Sequence, residues 1–310
     1  ATINRVRFDL STNDELDGYI TSSLFLTIIF TFIIFLLYLM FPSIFREVLL
    51  IKHRYILFMF FYLFSYPAFG IFQAKQRVEY KYKLNAIITF SLTAGSTILS
   101  ILFSIFAKED KLWGRIVGQY SLYIVTGMIL NIYFFTKSIS IKIKYIKLAL
   151  RIAIPLVFTY LGSSVFFSSD NLVLKHMSSG EQVSYLSIAH TCAHIILLFI
   201  QVLNNAWAPW FFDKLNEYDY VTIRNTFKVY ICSIIFSTLI IILIAPEIVI
   251  ILGGKKYLES VFIIPVNILT GVFSLLTFQF VNLETYNKKT EYSAIITGCV
   301  SIINVVFDVI

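Results

Sequence analysis

Long uncharged runs alternate with short polar connections along this chain, and within each run the apolar positions are nearly continuous rather than confined to one stripe. From Gly18 to Phe45 there are 28 residues without a charge, Tyr55 to Ala74 supplies 20 more, and further runs lie within Leu84 to Ala107 and Ile116 to Thr136. At 1.5 Å rise per residue, about 20 such residues cross the ~30 Å hydrocarbon core of a bilayer. A soluble helix of the same length would carry a polar face. The pattern predicts membrane helices at about 20–41, 55–74, 84–107 and 116–136, then 151–170, 184–206, 229–250 and 261–281, with a ninth beginning near Tyr292. Pro42 stops the first, Pro67 interrupts the second, and Glu247 falls near the end of the seventh. Ahead of the first, Thr12 followed three residues later by Glu15 has the spacing of a capping box.

Composition agrees with this all-α, polytopic membrane reading. Charged residues are 14% and hydrophobic residues 58% of the chain, against about 25% charged in a soluble domain. The net charge of +7 therefore gives no reason to expect nucleic acid as a partner; where the basic residues sit matters more than their sum. Cys192, Cys232 and Cys299 all lie in apolar runs without paired or metal-ligand spacing, and are expected to be small buried residues. The connections leave no room for a soluble domain, and no P-loop or dinucleotide fingerprint appears, so neither a cofactor nor an ATP motor is expected. The chain opens on alanine without a signal peptide and ends on the apolar IINVVFDVI. Both ends are expected to be cuts in a longer protein.

Charge placement predicts orientation. With the first segment inside, sixteen of the 25 Lys and Arg residues fall on the cytoplasmic side, among them Lys75, Arg77, Lys81 and Lys83 and the five from Lys137 to Arg151; nine fall outside. That bias satisfies the positive-inside rule, and the two basic loops would attract anionic membrane lipids.

Several spans carry groups that hydrocarbon does not favour. The stretch from Arg151 to Asp170 contains Pro155, Thr159, Gly162, Ser163 and Ser164, either a strip for close helix packing or a helix that bends during transport. In the sixth span Ser187, His190, His194, Gln201 and Asn205 recur at helical spacing and share a face, with Ile188, Leu198, Ile200 and Leu203 free to point elsewhere. Such a face should meet protein or water, lining a hydrated region or forming a dry hydrogen-bonded seam. No carboxylate or cysteine completes a metal set beside the histidines, and no acid, base and nucleophile constellation suggests an enzyme. Arg115 and Gln119 share a face beside Gly114 and Gly118, whose spacing permits close helix contact. Arg151 and Asp170 mark the two ends of the fifth span. Each of these either pairs locally at the membrane boundary or, for the arginines, meets the phosphate oxygens of a substrate.

The chain resembles the polysaccharide transport proteins of the MATE-like flippase superfamily, specifically the O-antigen or repeat-unit (Wzx-like) flippases. The residues that carry the resemblance are Arg7 and Phe8, QRVEYKYKLNAI from Gln76 to Ile87, the segment from Pro155 to His190, APW at Ala208 to Trp210, and APEIVIILGGKKYLES from Ala245. Asp170 with Gly180 and Tyr185 is the most telling local pattern. The resemblance implies a two-lobed helical bundle, with residues 1–147 a partial first lobe of four membrane helices after a cytoplasmic segment, and 148–310 a partial second lobe of five. It implies transport of undecaprenyl-pyrophosphate-linked oligosaccharide across the bacterial inner membrane, in lipopolysaccharide or other polysaccharide biosynthesis, beside polysaccharide polymerase machinery and without covalent chemistry. The alternative is a proton- or sodium-coupled multidrug or organic-cation antiporter of the same fold. It would prefer a buried acid in the first four spans, where none is expected. A membrane glycan polymerase or ligase would need catalytic side chains on an extended outer loop, and the outer loops are short.

Overall fold

Helices begin where polar connections give way to apolar runs. The Thr12 hydroxyl accepts a hydrogen bond from the Glu15 N–H (3.3 Å) and so caps α2, Asn13–Met40, the role its spacing predicts. The structure is a computed structural model that describes residues 2–10, 12–107, 110–138, 140–177 and 180–309, apart from the side chains of 2, 13, 48, 165–183, 270, 305 and 307–309. All regular structure among the described residues is helical. Around α2 come the short α1, Thr2–Val6, and α3, Pro42–Leu49, and then α4, His53–Val78, α5, Tyr82–Phe106, and α6, Lys111–Lys137. The second part of the chain has α7, Ile143–Met177, α8, Gly180–Asn216, α9, Tyr220–Leu243, and α10, Ala245–Gly253. A 3-10 segment, Lys255–Phe262, then leads to α11, Ile264–Asn287, and α12, Glu291–Val309.

Eight helices among the described residues are long and apolar enough to cross a membrane, with spans of 22 to 33 residues. At 1.5 Å per residue even the shortest reaches about 33 Å. Their outward surface is that of a protein in lipid: Phe30, Ile98, Ile132 and Phe236 are each more than half exposed. The ninth expected span is the 19-residue helix α12, which is not among the eight.

The chain divides into two compact units, Ile3–Leu150 and Arg151–Ile310. In the first, α6 packs along both α5 and α4, and α2 lies against α4 and α6. The seam is made of glycine: a Cβ built on Gly114 would run into the Phe103 carbonyl, one on Gly118 into the backbone of Leu99 and Ser100, and one on Gly127 into the Ser65 carbonyl. Backbones that close leave room for a hydrogen bond from the Ser100 hydroxyl to the Arg115 carbonyl (2.9 Å). Tyr38, Ile56 and Phe60 form a hydrophobic core at one end of α2 and α4. In the second unit α8 packs most extensively on α11, with α9, α10 and the 3-10 segment around it. Trp207 of α8 stacks on Tyr230 of α9 (centroids 5.1 Å apart, 4° between planes). Asp219 caps α9 by accepting from the Thr222 N–H (3.1 Å), and the bond to Thr222 holds its carboxyl below the usual aspartate range. The strip on α7 packs against α12: Ser301 donates to the Gly162 carbonyl (2.6 Å), and a Cβ on Gly162 would come 3.1 Å from Thr297.

Four expectations need correction. The seventh span is Tyr220–Leu243, not 229–250, because Pro246, with no N–H to give, sits in the first turn of a new helix and leaves Glu247 outside the span. Pro67 does not interrupt the second span; α4 runs through it, since in hydrocarbon losing one bond costs less than unwinding a turn. The sixth span continues to Asn216. Only Cys192 is buried, while Cys232 and Cys299 are exposed: in a membrane protein an apolar run has no need to turn inward.

The glycine seam can be tested against an internal control, since a Cβ on Gly70 would meet nothing within 4 Å. Gly118→Val should lower stability in detergent by about 1–3 kcal/mol or more, the usual cost of overpacking, while Gly70→Ala leaves the thermal midpoint nearly unchanged in the same assay.

Candidate functional site

Within α8 the burial pattern sorts the polar residues. Ser187, Thr191, His194, Gln201 and Asn205 are exposed, at offsets of four, three, seven and four that place them within a narrow arc over about 27 Å of helix. His190 is half-buried and stands at the edge of that arc. Leu198, expected elsewhere, falls inside the arc and is 61% exposed; eleven residues from Ser187 is three full turns. The opposite face carries Ala189, Ala193, Ile196 and Ile200, all buried, and Gly271 of α11 comes close to Ile196. The exposed arc is thus a polar stripe, interrupted once by leucine, on a helix whose other side is committed to packing. Imidazole, amide and hydroxyl can each donate and accept.

Periodicity missed the polar partnership beside this stripe. Asn282 of α11, buried, donates from Nδ2 to Oδ1 of Asn204 (2.8 Å). One turn earlier, Gln279 is also buried, with its Nε2 unsatisfied among the described residues. Asn204 was legible only as the neighbour of Asn205, because 78 residues separate the two asparagines.

The other predicted residues lie on two other helices, α6 and α7. Gln119 turns into the α5–α6 seam, where Nε2 lies 3.4 Å from the Ser96 hydroxyl. Arg115, on the same helix, is exposed and makes no ion pair among the described residues. Arg151 is exposed in α7. Asp170 lies in the stretch 165–183, whose side chains are outside the described residues. Among the described residues no group of three His, Cys, Asp or Glu side chains could hold a metal.

The expectation that the first four spans hold no buried acid is wrong. Asp17 lies one turn inside α2 and is 7% exposed. Lys75 of α4 reaches one carboxylate oxygen at 2.6 Å and Lys137 of α6 the other at 2.7 Å. The boundary drawn at about residue 20 left Asp17 outside the span, and its partners are 58 and 120 residues away. Beside this triad the Arg7 guanidinium donates to the Val78 carbonyl (3.2 Å), so three basic segments meet at one end of the unit.

A family model described as Polysaccharide biosynthesis protein matches residues 5–215. No match was found among curated proteins or among solved structures.

Removing Asp17 leaves Lys75, 13% exposed, with only the more distant Glu79 carboxylate at 3.9 Å, whereas Lys137, 42% exposed, can turn to water. Asp17→Ala should lower stability in detergent by up to about 3 kcal/mol, in the range for breaking a buried pair, and Lys137→Ala by much less. Equal effects of the two changes would show that the triad is not organised around the acid.

Proposed function

The chain belongs to the polysaccharide biosynthesis protein family, and from that membership we propose that it is a MATE-like flippase. It would carry undecaprenyl-pyrophosphate-linked oligosaccharide from the cytoplasmic to the outer leaflet of a bacterial inner membrane by alternating access, with the units Ile3–Leu150 and Arg151–Ile310 as its lobes. The observation that carries this proposal is the exposed stripe from Ser187 to Asn205 on a membrane-spanning helix. Hydrocarbon against such a stripe is expensive, whereas water or a sugar satisfies it. A glycan moving through the membrane must exchange hydrogen bonds at many points, and neutral donors and acceptors spaced along ~27 Å allow that. A tight ion site would instead gather charges at one point.

The exposed guanidinium groups of Arg115 and Arg151 suit pyrophosphate oxygens, to which arginine presents a fixed fork of donors. A cation antiporter of the same fold would need a carboxylate free to trade a proton or sodium ion for substrate. Asp17 is buried but already held by two lysines, so it supports a structural role better than coupling.

Gln201→Leu and Asn205→Leu should insert into the membrane in normal amounts yet reduce transport of lipid-linked oligosaccharide, measured as accumulation of the unflipped lipid in a deletion strain carrying each variant. Normal transport by both variants would sink the α8 path. The orientation is checked separately, with cysteines introduced at Glu79 and Lys52, both exposed. In a background without native cysteines, an impermeant thiol reagent added to intact cells should label position 52 and spare position 79. The reverse result would invert the topology.

A further inference from the structure

Tyr55, Tyr62, Tyr66, Phe69 and Gln73 of α4 recur at intervals of seven, four, three and four, and so lie along one face for about 27 Å. α6 extends this face sideways. Tyr62 stacks on Tyr66 (centroids 4.8 Å apart) and meets Tyr120 edge-on (4.9 Å), while Tyr123 contacts both Tyr66 (6.2 Å) and Phe69 (5.9 Å). A hydroxyl stripe on α5 borders the rings: Thr93 bonds the Tyr123 hydroxyl (3.2 Å), and Gln73 donates to Thr89 (2.9 Å). At the opposite end Trp113 packs edge-on against Tyr55 (5.2 Å). There the Arg54 guanidinium lies over both rings, 5.2 and 5.3 Å from their centroids, and is ion-paired with Asp110.

Lipid does not account for this surface. Tyrosines that anchor a protein in a bilayer gather at the two interfaces, where the hydroxyl reaches water, but Tyr62, Tyr66, Tyr120 and Tyr123 stand near the middle of α4 and α6. Lipid-type surface lies elsewhere on α5 and α6: Ile98, Ile101 and Ile105 on α5, and Val125, Ile129 and Ile132 on α6, are each more than half exposed. Packing does not exhaust the ladder either, since Tyr66 and Tyr120 are each 38% exposed and Thr93 is exposed. What remains is a strip of rings, open at Tyr66 and Tyr120, half-buried at Tyr62 and Tyr123 and closed at Phe69, edged with hydroxyl and amide groups in the middle of a membrane unit. A pyranose is complementary to such a strip, with an apolar C–H face for the ring and an edge of hydroxyls for the polar border. An organic cation would also favour ring faces, but the carboxylate at the end of the ladder, Asp110, is already neutralised by Arg54.

We propose that this aromatic ladder of α4 and α6, bordered by the threonines of α5, is a binding track for the sugar residues of the transported glycan, which stack on successive rings and pass from one to the next. The assignment rests on the flippase function proposed above and adds to it the group that is bound and the place where it binds. The pyrophosphate and the polyprenyl chain have no part in this contact.

The first test uses the protein in nanodiscs of phosphatidylethanolamine and phosphatidylglycerol, with Cys192, Cys232 and Cys299 replaced by Ala and Thr93→Cys introduced. An aqueous thiol reagent should label position 93. The host's own undecaprenyl-pyrophosphate-linked oligosaccharide should slow that labelling, and undecaprenyl pyrophosphate at the same concentration should not. Absence of labelling would mean a dry face, and equal protection by the bare carrier would mean a lipid site; either overturns the track. The second test is transport in a deletion strain. Tyr66→Leu and Tyr123→Leu, at equal amounts in the membrane, should each reduce transport up to about tenfold, the worth of one ring contact. Tyr66→Phe, which keeps the ring, should restore most of that loss. Normal transport by both Leu variants, or failure of the Phe variant to restore it, overturns the track while leaving the flippase assignment standing. If the deletion strain itself flips the lipid normally, the flippase assignment falls and the track falls with it. Should the Leu variants not accumulate in the membrane, the labelling result alone decides.

Discussion

A polar group inside hydrocarbon has no water to fall back on, so it must find a partner within the protein or open a path to solvent. This constraint orders the whole chain. Serines and threonines in the spans return hydrogen bonds to their own helix: Ser22 to the Gly18 carbonyl (2.7 Å), Thr31 to Thr27 (2.9 Å) and Ser163 to Thr159 (2.9 Å). Longer side chains cross to a neighbour, as Asn131 does in donating both to the Phe64 carbonyl of α4 (3.3 Å) and to Gly127 in its own helix (3.0 Å). Asp17 is the extreme case, a carboxylate admitted one turn into a span because two lysines come with it.

Against that background two surfaces stand apart. The stripe of α8 and the ladder of α4 and α6 keep polar atoms in view over most of a span, in units whose outward side chains are otherwise mostly aliphatic or phenylalanine. They differ in kind: α8 offers amides and an imidazole, whereas the ladder offers rings with hydroxyls at the edges.

The spans were legible in the sequence because an uncharged run of 20 or more residues has few other fates, and the capping of α2 followed from Thr12 and Glu15 alone. Boundaries were less legible. Charge was taken as the end of a span, which placed Asp17 outside α2; proline was taken as a break at Pro42, where it is one, and at Pro67, where it is not, and was passed over at Pro246, where a new helix begins. Periodicity found the α8 stripe because all its members lie on one helix, though it misplaced Leu198. It could not find the Asn204–Asn282 pair, the Asp17 triad or the ladder, since these depend on which helices become neighbours, and no single-helix pattern encodes that. The glycines at 114 and 118 were the exception, a local signal of a long-range contact, because a missing side chain has a consequence only where another backbone arrives.

That contact also sets how freely the sequence of this seam can drift. Positions 114, 118 and 127 each face a main-chain atom, and a main chain, unlike a side chain, cannot be exchanged for something smaller. No second change elsewhere can make room for a methyl group there. Val125 and Ile129, two residues to either side of Gly127, look outward and need only remain oily. Among descendants of this chain the three glycines should therefore persist as fixed points in a helix whose other surface turns over rapidly, and the spacing between them should outlast any recognisable similarity around them.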